Sequence, residues 1–230
     1  MQITRTNNGL PLVDEVIQKN VSRRNFLRFT GMAGLTATVI GAGCKKNDSN
    51  GVDLGSGDTG VLNYAYALEQ LEAAFYIQVA TSFYTGISTE EQSLLTDIRD
   101  HEVAHREFFK AALAGSAIPS LEVDFSSINF GSRDSVLGAA KAFEDLGVSA
   151  YNGAGALLTS KDFLLVAGKI VSVEARHAAL IRDRIANGTF VGPDVIDVTT
   201  ATEISRSPSQ VLSIASKYIK TQINASNLPS

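Results

Sequence analysis

One pattern occurs twice between residues 61 and 186, and it strongly limits how this chain can fold. A helical segment with a glutamate seven residues before a tyrosine is followed by a helical segment that contains Glu-x-x-His. The first copy consists of Glu69, Tyr76, Glu102 and His105, and the second of Glu144, Tyr151, Glu174 and His177. Such a repeat predicts two similar halves that build one site around a pseudo-twofold axis.

Four long stretches without proline predict the helices, at about residues 61–84, 89–114, 134–158 and 160–186. Ser88 and Glu91 have the spacing of a capping box, and Ser160 is placed to cap the fourth helix. A long connection, 116–133, separates helices two and three, whereas the other connections are short. This is typical of an all-α four-helix bundle with a long crossover. A last helix is predicted from Ser207 to about Ile223, outside the bundle.

The apolar stripes of helices two and four are each interrupted by Glu-x-x-His, whose spacing puts both side chains on one face. These groups are either hydrogen-bonded core or surface residues, or metal ligands. Four uncompensated carboxylates in a bundle core would each cost several kcal/mol. Two divalent cations would offset that cost. Carboxylate and imidazole suit iron or manganese, and a thiolate site is excluded because Cys44 is the only cysteine.

This ligand pattern resembles that of the ferritin-like superfamily, which includes ferritins, bacterioferritin and rubrerythrin. Residues Leu62–Ala65, Leu68–Tyr76 and Val173–His177 are more specifically similar to the exported ferritin-like family that includes desiccation-related proteins. The resemblance implies a ferritin-like bundle that binds two iron ions or, alternatively, two manganese ions. It implies the metal ligands Glu69, Glu102, His105, Glu144, Glu174 and His177, with Glu102 and Glu174 bridging.

Several roles stay open at this stage. Glu72 shares a helix face with Glu69 and is the alternative ligand, although only the step from Glu69 to Tyr76 is repeated in helix three. Tyr76 and Tyr151 either donate hydrogen bonds near the site or are core aromatics. His101 is expected at the surface or beside the ligands without binding metal. Arg182 is expected to be solvated. The run 147–156, rich in glycine and alanine, predicts close helix packing rather than phosphate binding.

The N-terminal segment has the features of an export signal, predicted over residues 1–44. Arg23 and Arg24 in the pattern Ser-Arg-Arg-x-Phe-Leu resemble a twin-arginine signal, and the apolar run 29–42 is too short to span a membrane well. The alternatives are a disordered basic tail or an uncleaved anchor. Cys44 lies in a lipobox-like context, which predicts lipidation, with a free thiol as the alternative. Residues 45–59 are predicted to be a flexible tether, 60–188 the bundle, and 189–230 a C-terminal extension.

The expected function is that of an exported protein, either periplasmic or a lipoprotein of the cell envelope, whose metal pair reacts with dioxygen or peroxide. The enzyme classes considered are a ferroxidase- or peroxidase-like oxidoreductase and a manganese catalase-like enzyme. The alternative is a non-catalytic metal-binding or structural protein in stress or desiccation tolerance. A net charge of -4 argues against nucleic acid as a partner. Membrane contact is expected only through the lipid anchor, and a homo-oligomer is compatible with the sequence.

Overall fold

The computed structural model describes residues 51–229, and four long helices dominate them. These are α1 (Gly57–Thr81), α2 (Thr89–Leu113), α3 (Arg133–Gly155) and α4 (Lys161–Ile185). The remaining elements are a 3-10 turn (Ala114–Ser116), α5 (Pro208–Ala215) and four two-residue strands: β1 (Val52–Asp53), β2 (Ile196–Asp197), β3 (Thr202–Glu203) and β4 (Ile223–Asn224). The prediction of an all-α bundle with an additional C-terminal helix is confirmed. The predicted export signal, Cys44 and residues 45–50 lie outside the described residues.

The four long helices pack in two pairs. Short connections, 82–88 and 156–160, join α1 to α2 and α3 to α4, and the helices of each pair lie along one another. Helix α1 also contacts α3, so the two pairs form one bundle whose core runs between all four helices. Among the described residues, no helix combines the length and the apolar character that a membrane span requires.

Serine side chains cap the starts of α2, α4 and α5, as the sequence predicted. Ser88 accepts a hydrogen bond from the backbone N–H of Glu91, and Ser160 caps α4 in the same way. The capping box expected at Ser88 is only half formed, because the Glu91 side chain turns to Tyr84 and Arg133 instead of the cap backbone. A complete capping box begins α5, between Ser207 and Gln210.

Helix α1 is buried on nearly all sides because the crossover between α2 and α3 lies against it. Asn63 donates to the carbonyl oxygens of Leu54 and Ser116, at 3.0 and 2.9 Å, and accepts from the N–H of Ile118. Two helical turns further along α1, Gln70 accepts a hydrogen bond from the backbone N–H of Leu121 at 2.8 Å. Two buried amides therefore satisfy crossover backbone groups that would otherwise be unpaired next to an apolar helix.

Segments from both ends of the described chain join the crossover in covering α1. Strand β1 pairs in parallel with β4, with Val52 opposite Ile223, and Val123 of the crossover bridges to Ile219. Leu54 is completely buried, and α1 starts at Gly57. Residues 52–54, which belong to the predicted tether, thus find backbone partners far along the sequence.

The C-terminal helix is shorter than predicted. It ends at Ala215, and the prediction that it continues to about Ile223 is wrong. Residues after Ala215 instead meet the crossover, where the N–H of Lys220 donates to the carbonyl of Glu122 at 2.8 Å. Val211 and Ala215 are fully buried, so α5 contributes directly to the core.

Arg182 is buried, contrary to the expectation of a solvated charge. It is 4% exposed and binds both carboxylate oxygens of Asp145 and of Asp194, at 2.7 to 3.2 Å. These pairs hold the segment after α4 against the bundle. The run 147–156 is predicted to pack closely against another helix, but at Gly153 the close neighbour is the non-helical residue Arg206, whose carbonyl oxygen would stand 1.9 Å from a Cβ atom.

Candidate metal centre

The bundle brings together the six residues predicted as metal ligands. Helices α1 and α3 each provide one glutamate, and α2 and α4 each provide a glutamate and a histidine one turn later. The four glutamates, Glu69, Glu102, Glu144 and Glu174, are completely buried. Apolar residues flank each glutamate along its helix, so the helix face that carries the glutamate packs into the core. The four carboxylates therefore lie together in the core.

The ligand atoms form two overlapping groups. The first group consists of Glu69, Glu102, His105 and Glu174, and the second of Glu102, Glu144, Glu174 and His177. Within each group, one side-chain nitrogen or oxygen from every member lies within 4.8 Å of the others. Glu102 and Glu174 belong to both groups, which is the arrangement that two neighbouring ions with shared carboxylates require.

Distances around the two histidines follow the pseudo-twofold symmetry. Nδ1 of His105 lies 2.7 Å from Glu174 and 3.6 Å from Glu69. Nδ1 of His177 lies 2.9 Å from Glu102 and 3.5 Å from Glu144. Each imidazole therefore approaches the shared glutamate of the opposite helix most closely, and then the glutamate that belongs to its own group alone.

The converging atoms lie at ion-pair distance from one another, but they do not meet in hydrogen-bond geometry. The atoms without a partner are Glu69 Oε2, both oxygens of Glu102 and of Glu174, Glu144 Oε2, and Nδ1 of His105 and His177. Buried polar atoms normally have partners, and leaving one unpaired costs about 1–3 kcal/mol. Ligands about 2.1 Å from one ion lie about 3 Å apart when adjacent, so these atoms have the spacing of a coordination sphere. The residues present thus fit a metal site.

Comparison with known families agrees with this geometry. The family described as the ferritin-like domain matches residues 57–187, which is the stretch from the start of α1 to just after α4. The chain belongs to the ferritin-like domain family. A comparison with curated proteins gives no significant match.

Two tyrosines of the ferritin-like domain contact the centre, which the sequence left open. Tyr76 donates to Oε1 of Glu144 at 2.5 Å, and Tyr151 donates to Oε1 of Glu69. Each tyrosine thus donates a hydrogen bond to the glutamate of the other half of the repeat. One oxygen of each of these glutamates is held by a hydroxyl, and the other faces the nearby imidazole without a hydrogen bond.

Burial and neighbouring charges shift the pKa of all four glutamates. Burial raises the pKa of Glu69 and Glu102, and it raises the pKa of Glu144 to about 7. Burial opposes ionisation of Glu174 as well, but contacts with His105 and His177 outweigh it and lower its pKa to about 2.

The imidazoles respond in the opposite sense. Burial lowers the pKa of both histidines, but the carboxylates outweigh it. They raise the pKa of His105 to about 10 and that of His177 to about 12. Protons held by the histidines thus balance part of the negative charge of the buried carboxylates. A divalent cation that bound here would displace these protons.

Glu72, the alternative ligand, lies outside both groups of ligand atoms. It is 3% exposed, and its Oε2 has no hydrogen-bond partner. Burial, followed by repulsion from Glu102, raises its pKa well above the ordinary value. Glu72 is therefore a fifth buried carboxylate next to the centre, one helical turn from Glu69 on α1.

His101 contacts the centre from outside. Its Nδ1 lies 2.8 Å from Nε2 of His177, and the ring is exposed to solvent. Nothing in the local sequence indicates this contact, because it joins residues of two different helices across the bundle.

Residues 101–105 also have the spacing His-Glu-x-x-His, which binds zinc in metalloproteases. His101 belongs to neither group of converging ligand atoms among residues 51–229. Glu102, which would act as the base, is itself buried among the carboxylates. The protease arrangement is therefore not formed.

Proposed function

We propose that this protein binds two iron or manganese ions through its four buried glutamates and two histidines, and that it reacts with dioxygen or peroxide. The observation that carries the proposal is the set of buried oxygen and nitrogen atoms that converge without hydrogen bonds. A core with so many unpaired carboxylate oxygens is costly unless cations bind there. Carboxylate and neutral imidazole are ligands suited to iron and manganese.

The ligands have separate tasks in this proposal. Glu102 and Glu174 would bridge both ions, while Glu69 with His105 and Glu144 with His177 would each complete one coordination sphere. The ions would supply Lewis acidity and electron transfer towards the oxidant. Tyr151 and Tyr76 orient Glu69 and Glu144 by holding one oxygen of each. Burial of all four carboxylates keeps bulk water away from the ligands.

The proposed place of action is the cell envelope, and it rests on the N-terminal sequence alone. Arg23 and Arg24 are similar to the pair that directs folded proteins to the twin-arginine route, and Cys44 is the proposed lipidation site. Similarity to the desiccation-related proteins is part of the same proposal. The partner would be a small oxidant, and the membrane would be contacted only through the lipid.

A second candidate function is metal binding without turnover, in stress or desiccation tolerance. Complete burial of Glu69, Glu102, Glu144 and Glu174 favours it, because an enclosed site limits access by a substrate. Turnover with hydrogen peroxide or ferrous iron separates the two functions. Disproportionation of peroxide by a manganese-loaded protein would identify a catalase-like enzyme.

The metal site itself is tested by elemental analysis of the purified protein after loading with ferrous iron or with manganese. We expect about two ions per chain. The variant Glu102→Gln/Glu174→Gln should lose both ions while its helical circular dichroism signal is unchanged. Glu107→Gln, on the exposed side of α2, is the matched control and should bind like the wild type. A folded wild-type protein without metal would contradict the proposal.

A further inference from the structure

The two rings of His101 and His177 meet edge to edge. Nδ1 of His101 lies 2.8 Å from Nε2 of His177, the ring centroids are 5.1 Å apart, and the ring planes differ by 16°. The difference between the centroid separation and the N···N distance is about twice the radius of an imidazole ring. Both nitrogens therefore lie close to the line that joins the two ring centres. This is the geometry of a straight N–H···N hydrogen bond.

The position of His177 determines which nitrogen carries each proton. Its Nδ1 faces Glu102, Glu144 and Glu174 at 2.9 to 3.7 Å. An imidazole that binds metal through Nδ1 must keep its proton on Nε2. That Nε2–H points at Nδ1 of His101, which must then accept, so the proton of a neutral His101 ring is on Nε2.

The other half of the centre has no equivalent contact. Within residues 51–229, no protein group forms a hydrogen bond with Nε2 of His105, the counterpart of His177 in the repeat. Histidines that bind metal usually donate their second N–H to a carboxylate, a carbonyl or water. Here an exposed imidazole takes that role for His177 alone.

We propose that His101 is a positioning residue that holds His177 in the ring orientation and tautomer needed to bind metal through Nδ1. The inference rests on the proposed metal site, and it assigns an asymmetric function within a pseudo-symmetric centre. Losing such a partner typically weakens metal binding by about 10- to 100-fold. The loss is confined to the ion bound by His177.

The hydrogen bond is measurable without any metal. In the uniformly ¹⁵N-labelled full chain, a scalar coupling across the hydrogen bond connects Nε2 of His177 with Nδ1 of His101. The chain has three histidines, so the assignment needs few variants. We expect the coupling in the metal-free protein and in the zinc-loaded protein. Its absence from both would overturn the proposal.

Zinc binding then tests the positioning role, because Zn²⁺ is diamagnetic and accepts carboxylate and imidazole ligands. His101→Leu removes the acceptor, and His101→Asn keeps an oxygen near the position of Nδ1. In a His105→Ala background, which leaves the His177 half, His101→Leu should weaken zinc binding by about 10- to 100-fold. His101→Asn should retain most of the affinity.

The matched control is the His177→Ala background, in which His101 has nothing to position. There His101→Leu should leave zinc affinity unchanged, as should Gln92→Leu, which adds an exposed leucine to the same helix. Equal weakening in both backgrounds would show that His101 acts through the helix and would overturn the inference. A wild-type protein that binds no zinc, iron or manganese would refute the proposed function and the positioning role with it, while the coupling would still establish the histidine pair.

Discussion

Gly147 shows how a single residue makes the two halves of the centre different. It lies three residues after Glu144, as Glu72 lies three residues after Glu69, so the repeat places a glycine where α1 has a carboxylate. A Cβ atom on Gly147 would stand 2.8 Å from Oε1 of Glu72. The missing side chain in α3 therefore provides the space that the Glu72 carboxylate fills.

Gly147→Ala is expected to destabilise the protein by about 1–3 kcal/mol, because the added methyl group must displace a buried carboxylate. The free energy of unfolding from urea denaturation measures this. Gly138→Ala is the matched control, since Gly138 lies in the same helix with nothing near its Cβ position. That variant should gain about 0.5–1 kcal/mol. Equal effects of both substitutions would contradict the steric argument.

Glu72 makes the stability of the metal-free protein depend on pH. Because its folded-state pKa is raised, the folded state keeps a proton that the unfolded state releases above the ordinary pKa of 4.5. Ionisation therefore favours unfolding as the pH rises from that value. Glu72→Gln should raise the urea midpoint near neutral pH and leave it unchanged well below pH 4.5. A lower midpoint at neutral pH would show instead that the Glu72 carboxylate has a stabilising partner.

The residue types of the centre could be predicted from sequence, but their partners could not. Spacing along one helix puts Glu102 with His105, since a helical face is a local property. The hydrogen bond from Tyr76 to Glu144 and the contact of His101 with His177 depend on how separate helices are placed side by side. No local pattern contains that information.

At the scale of elements, Glu91 joins the ends of all four long helices. Tyr84, just after α1, donates to Glu91 at the start of α2, and Arg133 at the start of α3 donates to both oxygens of Glu91. The Arg133 guanidinium also donates to the carbonyl of Arg184 near the end of α4, at 2.6 Å. One buried carboxylate thus fixes the relative positions of four helix ends.

Arg133→Met should destabilise the protein by about 1–3 kcal/mol, because Glu91 would remain buried without its main countercharge. Urea denaturation at pH 7 measures the loss. Hydrogen bonds from Arg133 lower the pKa of Glu91, so this stabilisation is present above pH 4.5 and disappears as the pH falls further.

The neighbouring Glu90→Gln variant is the control for Arg133→Met. It removes only an exposed ion pair with Arg184 and should cost less than about 1 kcal/mol. If it cost as much as Arg133→Met, the four-helix junction would have no special role.

The starts of α2, α4 and α5 were predictable and the end of α5 was not, for one physical reason. Ser88, Ser160 and Ser207 cap their helices through contacts within a few residues. Helix α5 ends at Ala215 because the following residues pair with the crossover near Val123 and with β1. Competition from such distant partners overrides a favourable helical pattern.

For the whole molecule, metal binding should act as a stabilising ligand. At a free Mn²⁺ concentration 100 times the dissociation constant, linkage gives about 2.7 kcal/mol, which corresponds to a rise in Tm of about 5–10 °C. Differential scanning calorimetry measures it, with chelator-treated protein as the reference. Mg²⁺ at the same concentration should have a smaller effect because it disfavours imidazole ligands. An equal shift in Glu102→Gln/Glu174→Gln would place the bound ion elsewhere.

The β1–β4 pair also sets the order in which the chain can finish folding. Val52 is synthesised before α1, but its partner Ile223 leaves the ribosome only after α4 and α5. Until then β1 lacks its strand partner, and the cover over α1 is incomplete. Such non-local pairing forms slowly compared with helices, and exposed strand edges invite association with other chains. Closure of the cover over α1 is therefore a late event in folding, and the chain is most vulnerable to aggregation before it.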